Sequence, residues 1–379
     1  MNSILEVFLY FLKLGSTGFG GPVALVAIMQ KELVEEKEWM SKEKFIQVLP
    51  LLKAMPGAFS FQTAVYLGNQ RAGRWAGFLA GLALILPASI LMILLGVFLK
   101  QYGENLELKF WIQGFQWGAI VLMAGAVESL SKSYWSDKNF WLLLFLSTLT
   151  AVIFKTSEIY LVMFFGIMSM ALEKVKFSIF GKFNSFLFGL GGLTAGVLAP
   201  SILSLFLICF SSGAFVFGTG IAIAPLLEKY FVIQYQWINH EEFMTALALS
   251  QMTPGPVMVI VTLIGYKTLG VLGAVVATLA VYSPGWLHML TWFPKVSDKL
   301  IQSKPIQFFL KGALAAVVAS ISLTLFNMCK IGSFNMVGIP IVIFLFYLNR
   351  KIKIKSWQLI LLSGVIFRIA MFVKDLTSS

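Results

Sequence analysis

The chain has 379 residues, 58% hydrophobic and only 12% charged, with a mean hydropathy of +0.85. That is too little polar material to cover a soluble globule, so the chain belongs in a lipid bilayer. The net charge of +12 comes from lysines and arginines dispersed between apolar runs, with no nucleic-acid-binding motif around them, and it reads as loop charge beside membrane spans.

In chain order, Met1 to Leu14 is apolar, has no basic leader and shows no small-residue cleavage pattern, so it is expected to stay as a membrane-associated helix. It runs into a glycine-rich break, Gly18-Phe19-Gly20-Gly21-Pro22, and then a hydrophilic connector from Lys31 to Lys44. Ser41 is an N-cap candidate there, and Trp39 is expected to sit at the membrane interface as an aromatic anchor. A second break follows at Met55-Pro56-Gly57, with Lys53 just before it in otherwise apolar sequence. Spans are then expected at 75–99, 110–130, 139–154 and 157–172, a crossing helix needing about 20 residues. Glu128, near the end of the second, reads as an interfacial group, with proton coupling as the alternative.

An uncharged run from Phe183 to Leu227 opens the second half and is long enough to cross twice. It contains Gly218-Thr219-Gly220 and leads to a connector, Glu228 to Glu242, where Trp237 is the second anchor and Asn239 with Glu242 resembles a capping box. Thr253-Pro254-Gly255-Pro256 follows, then spans at 270–294, 307–328, 333–349 and 357–373. Cys209 and Cys329 lie in apolar stretches without metal-ligand spacing and read as inert core residues, so no metal or cofactor is expected.

The second half restates the first. Gly15, Phe19, Gly20, Trp39, Glu43, Phe45, Pro56 and Gly57 recur at an offset of 198 as Gly213, Phe217, Gly218, Trp237, Glu241, Phe243, Pro254 and Gly255. At an offset of 197, Gly68, Gly73 and Pro87 answer to Gly265, Gly270 and Pro284, while the later helices match only in hydropathy. Duplication with matched interior Gly and Pro marks a transporter built from two repeats, here divided as 1–182 and 183–379.

Basic residues orient each repeat. Arg71, Arg74, Lys132, Lys138, Lys174, Lys176 and Lys182 fall on one side of the first half, against Lys100, Lys109 and Lys155. In the second half Lys295, Lys299, Lys304, Arg350, Lys351, Lys353 and Lys355 oppose Lys267, Lys330 and Lys374. Cytoplasmic loops are the basic ones, which puts the equivalent loops of Arg71 and Lys267 on opposite faces. The expected fold is an all-α polytopic membrane protein of two homologous, inverted repeats with broken or re-entrant helices near the midplane.

Helix breaks inside a membrane are tolerated where freed backbone groups face protein or a wet cavity, so the breaks point to a site. Thr253 reads as an N-cap and Pro254 as the first residue of a half-helix whose exposed amides and positive dipole end favour an anion, as does the helix that begins after Gly20-Gly21-Pro22. The substrate-binding candidates are Gly20, Gly21, Pro22, Lys53, Pro56, Gly57 and Gln62 in the first half, and Gly218, Thr219, Gly220, Gln251, Thr253, Pro254, Gly255 and Pro256 in the second. Gln62 and Gln251 have side-chain amides to donate, and Ser60, Thr63, Asn69 and Thr262 are the other polar groups nearby. Arg71 and Arg74 either attract anions at the mouth or set topology. His240 and His288 make no recognisable acid–base or nucleophile set, which disfavours a membrane-embedded transferase.

These residues resemble the chromate ion transporter family in its long, two-domain form. The likeness rests on Phe19-Gly20-Gly21-Pro22, Trp39, Pro56-Gly57, Gln62, 68–73 and Pro87, and on Phe217-Gly218-Thr219-Gly220, Trp237, Gln251 to Pro256, Gly265-Tyr266, Gly270, Gly273-Ala274 and Pro284. It implies a secondary transporter in the bacterial inner membrane that exports chromate, a sulfate-like dianion, on the proton motive force without ATP hydrolysis. Transport of another anion such as sulfate, or an uncoupled channel, stands as the alternative. The expected partners are the oxyanion and the lipid bilayer, with no nucleic acid and with homodimerisation left open. The chain departs from the family pattern at Ala58-Phe59 after the first Pro-Gly, at Leu25 where a histidine is expected, and at Lys53, which puts chromate itself in question more than oxyanion transport.

Overall fold

The computed structural model describes residues 3–154, 158–173, 199–217, 220–301, 303–331, 338–352 and 354–378. The expected boundary at 182/183 and the candidates Gly218 and Thr219 lie outside the described residues. Within them every regular element is helical.

The first repeat comprises α1 (Ser3–Thr17), α2 (Gly21–Met29) continued by a π-helical turn (Gln30–Glu36), α3 (Lys42–Ala54), α4 (Phe59–Tyr102), α5 (Leu106–Ser131), α6 (Lys138–Phe154) and α7 (Glu158–Leu172). The second comprises α8 (Ile202–Ala214), a 3₁₀ turn (Gly220–Ile223) leading into α9 (Ala224–Leu227), a π-helical turn (Glu228–Gln234), α10 (His240–Met252), α11 (Ile260–Leu287) running through a π turn into α12 (Phe293–Ile301), α13 (Lys304–Ile331), α14 (Gly338–Ile352) and α15 (Ser356–Ser378). Five helical stretches are long and apolar enough to cross a membrane.

The repeats agree below the level of whole helices. Both π-helical turns fall at the 198 offset, and so do Glu38 and Gln236, two non-glycine residues that share a φ of 53°. Ser41 caps α3 by accepting from the Lys44 amide, and Asn239 with Glu242 forms the expected capping box on α10. The later helices, matched by hydropathy alone in the sequence, keep register too. Gly114 of α5 packs against Gly364 of α15, and their equivalents at the same offset, Gly312 of α13 and Gly166 of α7, lie against each other's helix at Phe165 and Phe309. Small residues at these positions let helix backbones approach closely.

The 44 residues of α4 are not one rod. Ala72 and Gly73 leave helical geometry, Gly73 with a φ of 80°, and the chain folds back on itself. Gly68 then packs beside Ala76 and Ala80, and Gly77 beside the Val65 carbonyl. The equivalent turn in α11 is Leu269-Gly270, where Gly265 packs on Gly273 and the Thr262 and Thr278 hydroxyls bond at 2.7 Å. Each turn uses a glycine where a side chain would be strained.

The arm 59–71 returns to the face from which α3 enters. Arg71 at its end pairs with Glu6 at 3.1 Å and lies 5.7 Å from the Trp39 ring, while Lys37 reaches the same Glu6 at 3.5 Å. Hence α1–α2 and α3–α4 each form a re-entrant hairpin with its glycine break at the tip. Trp39 is only 6% exposed, packed on Tyr10 and Phe11, which corrects its expected role as an interfacial anchor. In the second repeat Lys267, at the end of arm 260–268, reaches Glu242 at the start of α10 at 3.1 Å.

The equivalent long arms of the two repeats run opposite ways. Arg71 lies at the start of arm 74–102, whereas Lys267 lines a cavity with Leu99, Gly103, Glu104 and Lys109 at its far end, about 43 Å away at 1.5 Å per residue. Gly81 packs on Trp286 and Gly77 on Leu290, so the equivalent helices α4 and α11 are antiparallel. The repeats also interlock: α5 packs on α14 and α15, and α13 packs on α6 and α7.

Candidate functional site

The tips of the re-entrant hairpins meet at the centre. The Gly57 amide donates to the Val216 carbonyl at 2.6 Å, and the Gly255 amide donates to the Gly18 carbonyl at 3.0 Å. These are one hydrogen bond made twice, since 57 and 255, and 18 and 216, are equivalent at the 198 offset. Each ties the second break of one repeat to the first break of the other, as a twofold relation requires. Gly18 and Val216 follow the C-termini of α1 and α8, whose last carbonyls lack intrahelical donors. The crossing thus caps two negative helix ends and leaves the first-turn amides of α2, α4 and the helices after 219 and 256 as the donors at the centre.

This arrangement corrects the reading of the Pro-Gly pairs. The Gly57 and Gly255 amides, expected to face an anion, are engaged across the repeats, and Pro56, Pro254 and Pro256 carry no N–H. The amides that follow, around Ala58–Ser60 and Val257–Met258, stand in the first turns of the helices that resume after the breaks. The glycines serve geometry instead, with φ of 123° at Gly57 and 90° at Gly255. Thr253 is likewise no N-cap: it is the extended C-cap residue of α10, and its hydroxyl donates to the Ser250 carbonyl at 2.9 Å. Helix resumes only at Val257, so Pro254 lies within the break.

The two glutamines differ. The Gln62 side-chain amide donates to the Pro56 carbonyl and fills the space a Cβ at Gly57 would need, so it staples its own break. Gln251 Nε2 is buried and meets no acceptor among the described residues. The Ser60 and Ser212 hydroxyls, fully buried beside the Gly57–Val216 crossing, are also without partners there. A buried polar atom left unpaired costs about 1–3 kcal/mol, and the breaks hold these three donors together with the unpaired acceptor Gln62 Oε1 among the described residues. Thr63 and Thr262 are satisfied, the first by the Phe59 carbonyl.

The remaining candidates spread outward. Gly20 and Gly21, with φ of 118° and 79°, turn the chain into α2 with Pro22 in its first turn, and Leu25 packs against Gly18 where the family resemblance expects histidine. Gly220 is buried against Val257 and Met258. Lys53 is exposed on a 180 Å³ cavity with Pro50, Ser129, Ser133, Tyr134 and Phe217, next to the crossing residue Val216. Arg71 and Arg74 stand at the turn of α4, about 18 Å along the arm from the break, at the rim rather than the centre. One side of the centre is closed by aromatic rings, with Phe61 4.6 Å from Tyr282 and 5.0 Å from Trp286, and with the Tyr282 hydroxyl 3.4 Å from the Pro256 carbonyl.

Several polar groups escaped the sequence reading. Ser212 sits in the apolar run 183–227 with nothing to distinguish it. Lys311 of α13 is 6% exposed and bonds Asp137 at 2.9 Å and Glu173 at 2.8 Å. Burial works to raise the Asp137 carboxyl, but the Lys311 ammonium and the Phe140 and Asn139 amides hold it below the usual carboxylate range. Glu228 and His240 approach to 3.6 Å across a connector that carries no periodic signal. Glu128 pairs with Arg350 at 2.6 Å. Among the described residues no group of three or more His, Cys, Asp or Glu is placed to hold a metal ion.

A family model described as chromate transporter matches residues 5–170 and 203–367. A chromate transport protein of Cupriavidus metallidurans is 31% identical over 331 residues, covering 84% of this chain and 81% of the relative. A probable chromate transport protein of Synechococcus elongatus is 32% identical over 84% of this chain and 83% of its own length. A chromate transport protein of Pseudomonas aeruginosa is 27% identical over 86% and 81%. No solved structure matches the chain.

Proposed function

The chain belongs to the chromate transporter family, a family of transport proteins rather than enzymes and here a multi-pass membrane protein; from that premise we propose that it exports a small oxyanion, chromate or its sulfate-like analogues, across the bacterial inner membrane on the proton motive force. The observation that carries this reading is the reciprocal crossing of the four breaks, with first-turn amides beside it and with Gln251, Ser60 and Ser212 donors in the flanking segments that meet no partner among the described residues. A tetrahedral dianion presents acceptors in every direction and no donors, which is the complement of such a site. Full charges are few there, and that favours release as well as binding. Opposed equivalent loops support an inverted topology, with the Arg71, Lys304 and Arg350 ends cytoplasmic.

The test is flux of chromate, sulfate, molybdate and phosphate in proteoliposomes, with and without an imposed proton gradient. Chromate and sulfate are expected to move and to respond to the gradient. Gln251→Leu is expected to cut that flux 10- to 100-fold, the weight of one charge-assisted hydrogen bond of about 1.5–3 kcal/mol, without loss of folded protein. Absence of oxyanion flux from well-folded wild type, or full flux from Gln251→Leu, defeats the reading.

A further inference from the structure

Glu158, the first residue of α7, is 4% exposed, and neither of its carboxyl oxygens meets a hydrogen-bond partner among the described residues. An ionised carboxylate so placed, without a donor or counter-charge in contact, is too costly to persist, so the group rests there as the neutral acid. The charged and titratable groups on the surrounding elements are few. Lys229, on the π-helical turn 228–234, is the cation whose charge acts on Glu158, and it is itself half-buried. On the same turn lie Tyr230 and Glu228, and Glu228 is engaged with His240 of α10 at 3.6 Å and with Thr324 of α13. Lys311 of α13 is bound to Asp137 and Glu173, and Glu173 follows the opposite end of α7. On α6, Lys138 likewise stands at the opposite end. Lys330 stands near the end of α13, and Lys155, just before α7, lies outside the described residues. Among the described residues Lys229 is the counter-charge that acts on Glu158, with no bond to it.

We propose that Glu158 carries the coupling proton: neutral when enclosed, it releases its proton to water when the α7 end opens, and the resulting carboxylate pairs with the Lys229 ammonium. This rests on the oxyanion-transport reading above. The step is balanced, since one O–H bond breaks, water takes the proton and the negative charge left behind is met by an existing positive one. The site joins the start of α7 in the first repeat to the connector of the second, away from the breaks in sequence, so the proton and the anion are held by different residues.

The experiment uses full-length protein in proteoliposomes loaded with sulfate. Radiolabelled sulfate exchange without a gradient reads anion binding and passage; uptake under an imposed pH gradient reads coupling. Glu158→Gln, which mimics the neutral acid, is expected to keep exchange within about twofold of wild type and to lose stimulation by the gradient. Lys229→Gln, folded with Glu158 intact, is expected to move the pH dependence of uptake upward. Infrared difference titration of the same samples gives a readout independent of flux: a protonated carboxyl carbonyl band present in wild type and missing in Glu158→Gln. Gradient stimulation that survives in Glu158→Gln, an unchanged carbonyl band, or a wild type that exchanges sulfate without any gradient response overturns the proposal. If wild type exchanges no oxyanion at all, the function reading falls, and the infrared band alone decides whether Glu158 holds a proton.

Discussion

Gly57→Ala and Gly255→Ala probe the same crossing from its two sides, and the structure assigns them different costs. At Gly255 the φ of 90° is unfavourable for an L side chain by about 1–2 kcal/mol. The atoms nearest an added Cβ, the Leu84 carbonyl oxygen and Ala88, lie at 3.5 and 3.6 Å, which is ordinary contact. At Gly57 the conformational cost is at least as large, with φ at 123°, and the added Cβ also collides with the Gln62 side-chain amide. Gln62 must then leave the Pro56 carbonyl, and a buried polar group without its partner costs about 1–3 kcal/mol more. Gly57→Ala is thus expected to destabilise by about 2–5 kcal/mol and Gly255→Ala by about 1–2. In a Gln62→Ala background the Gly57 cost should fall to the Gly255 level, a coupling of about 1–3 kcal/mol in a double-mutant cycle. Urea unfolding in detergent micelles, followed by tryptophan fluorescence, measures all four corners. Equal costs for the two single variants, or no coupling between Gly57 and Gln62, would refute the assignment of Gln62 as the staple of its own break.

Lys311→Met should be among the most destabilising substitutions outside the breaks, by about 2–4 kcal/mol, because it strands two carboxylates that retain only part of their solvent. It also has a pH signature. Asp137 is held low in the folded state, so its contribution is present above the ordinary carboxylate range and lost as pH falls through it. Melting temperatures of wild type and Lys311→Met should therefore keep their gap from neutral pH down to the ordinary carboxylate range and converge only below it; a gap that does not narrow at the acid end would show that the ammonium stabilises by some other means.

Repetition made the fold legible. Matched Gly and Pro located the breaks, and the charge count placed the Arg71 and Lys267 loops at opposite ends, where the structure has them. Helix starts announced by Ser41 and by Asn239-Glu242 were readable because caps are local. What escaped was non-local or looked the same either way. A proline–glycine pair reads as exposed donors or as a crossed contact depending on which carbonyl lies opposite, and Val216 is an apolar residue whose side chain gives no hint that its carbonyl is used. Trp39 looks like an interfacial anchor until Tyr10, Phe11 and Arg71 are seen to enclose it. The fold-back of α4 at Gly73 hides in an unbroken helical pattern, since one glycine between two good helices reads as a tolerated defect. Glu158 sits at a span boundary, where a carboxylate is ordinary by sequence and exceptional only once buried.

The two repeats are alike in backbone yet unlike in exposure, and the difference bears on transport. Val23 is 61% exposed while its equivalent Ile221 is 6% exposed, and Thr17 is exposed while its equivalent Phe215 is 2% exposed. Two copies of one unit in opposite orientation can exchange such environments at little net cost, because each conformation is already realised by its partner. We expect the transport cycle to be that exchange, with the crossing bonds at Gly57 and Gly255 as its pivot. Single cysteines at Thr17 and Phe215, in a background with Cys209 and Cys329 replaced by Ser, make the exchange visible to a membrane-impermeant maleimide. Thr17→Cys should label and Phe215→Cys should not in substrate-free vesicles, and sulfate with an imposed gradient should reverse the ratio. If Thr17→Cys stays unlabelled in every condition, its exposed face meets lipid, and the asymmetry of the repeats says nothing about access to the site.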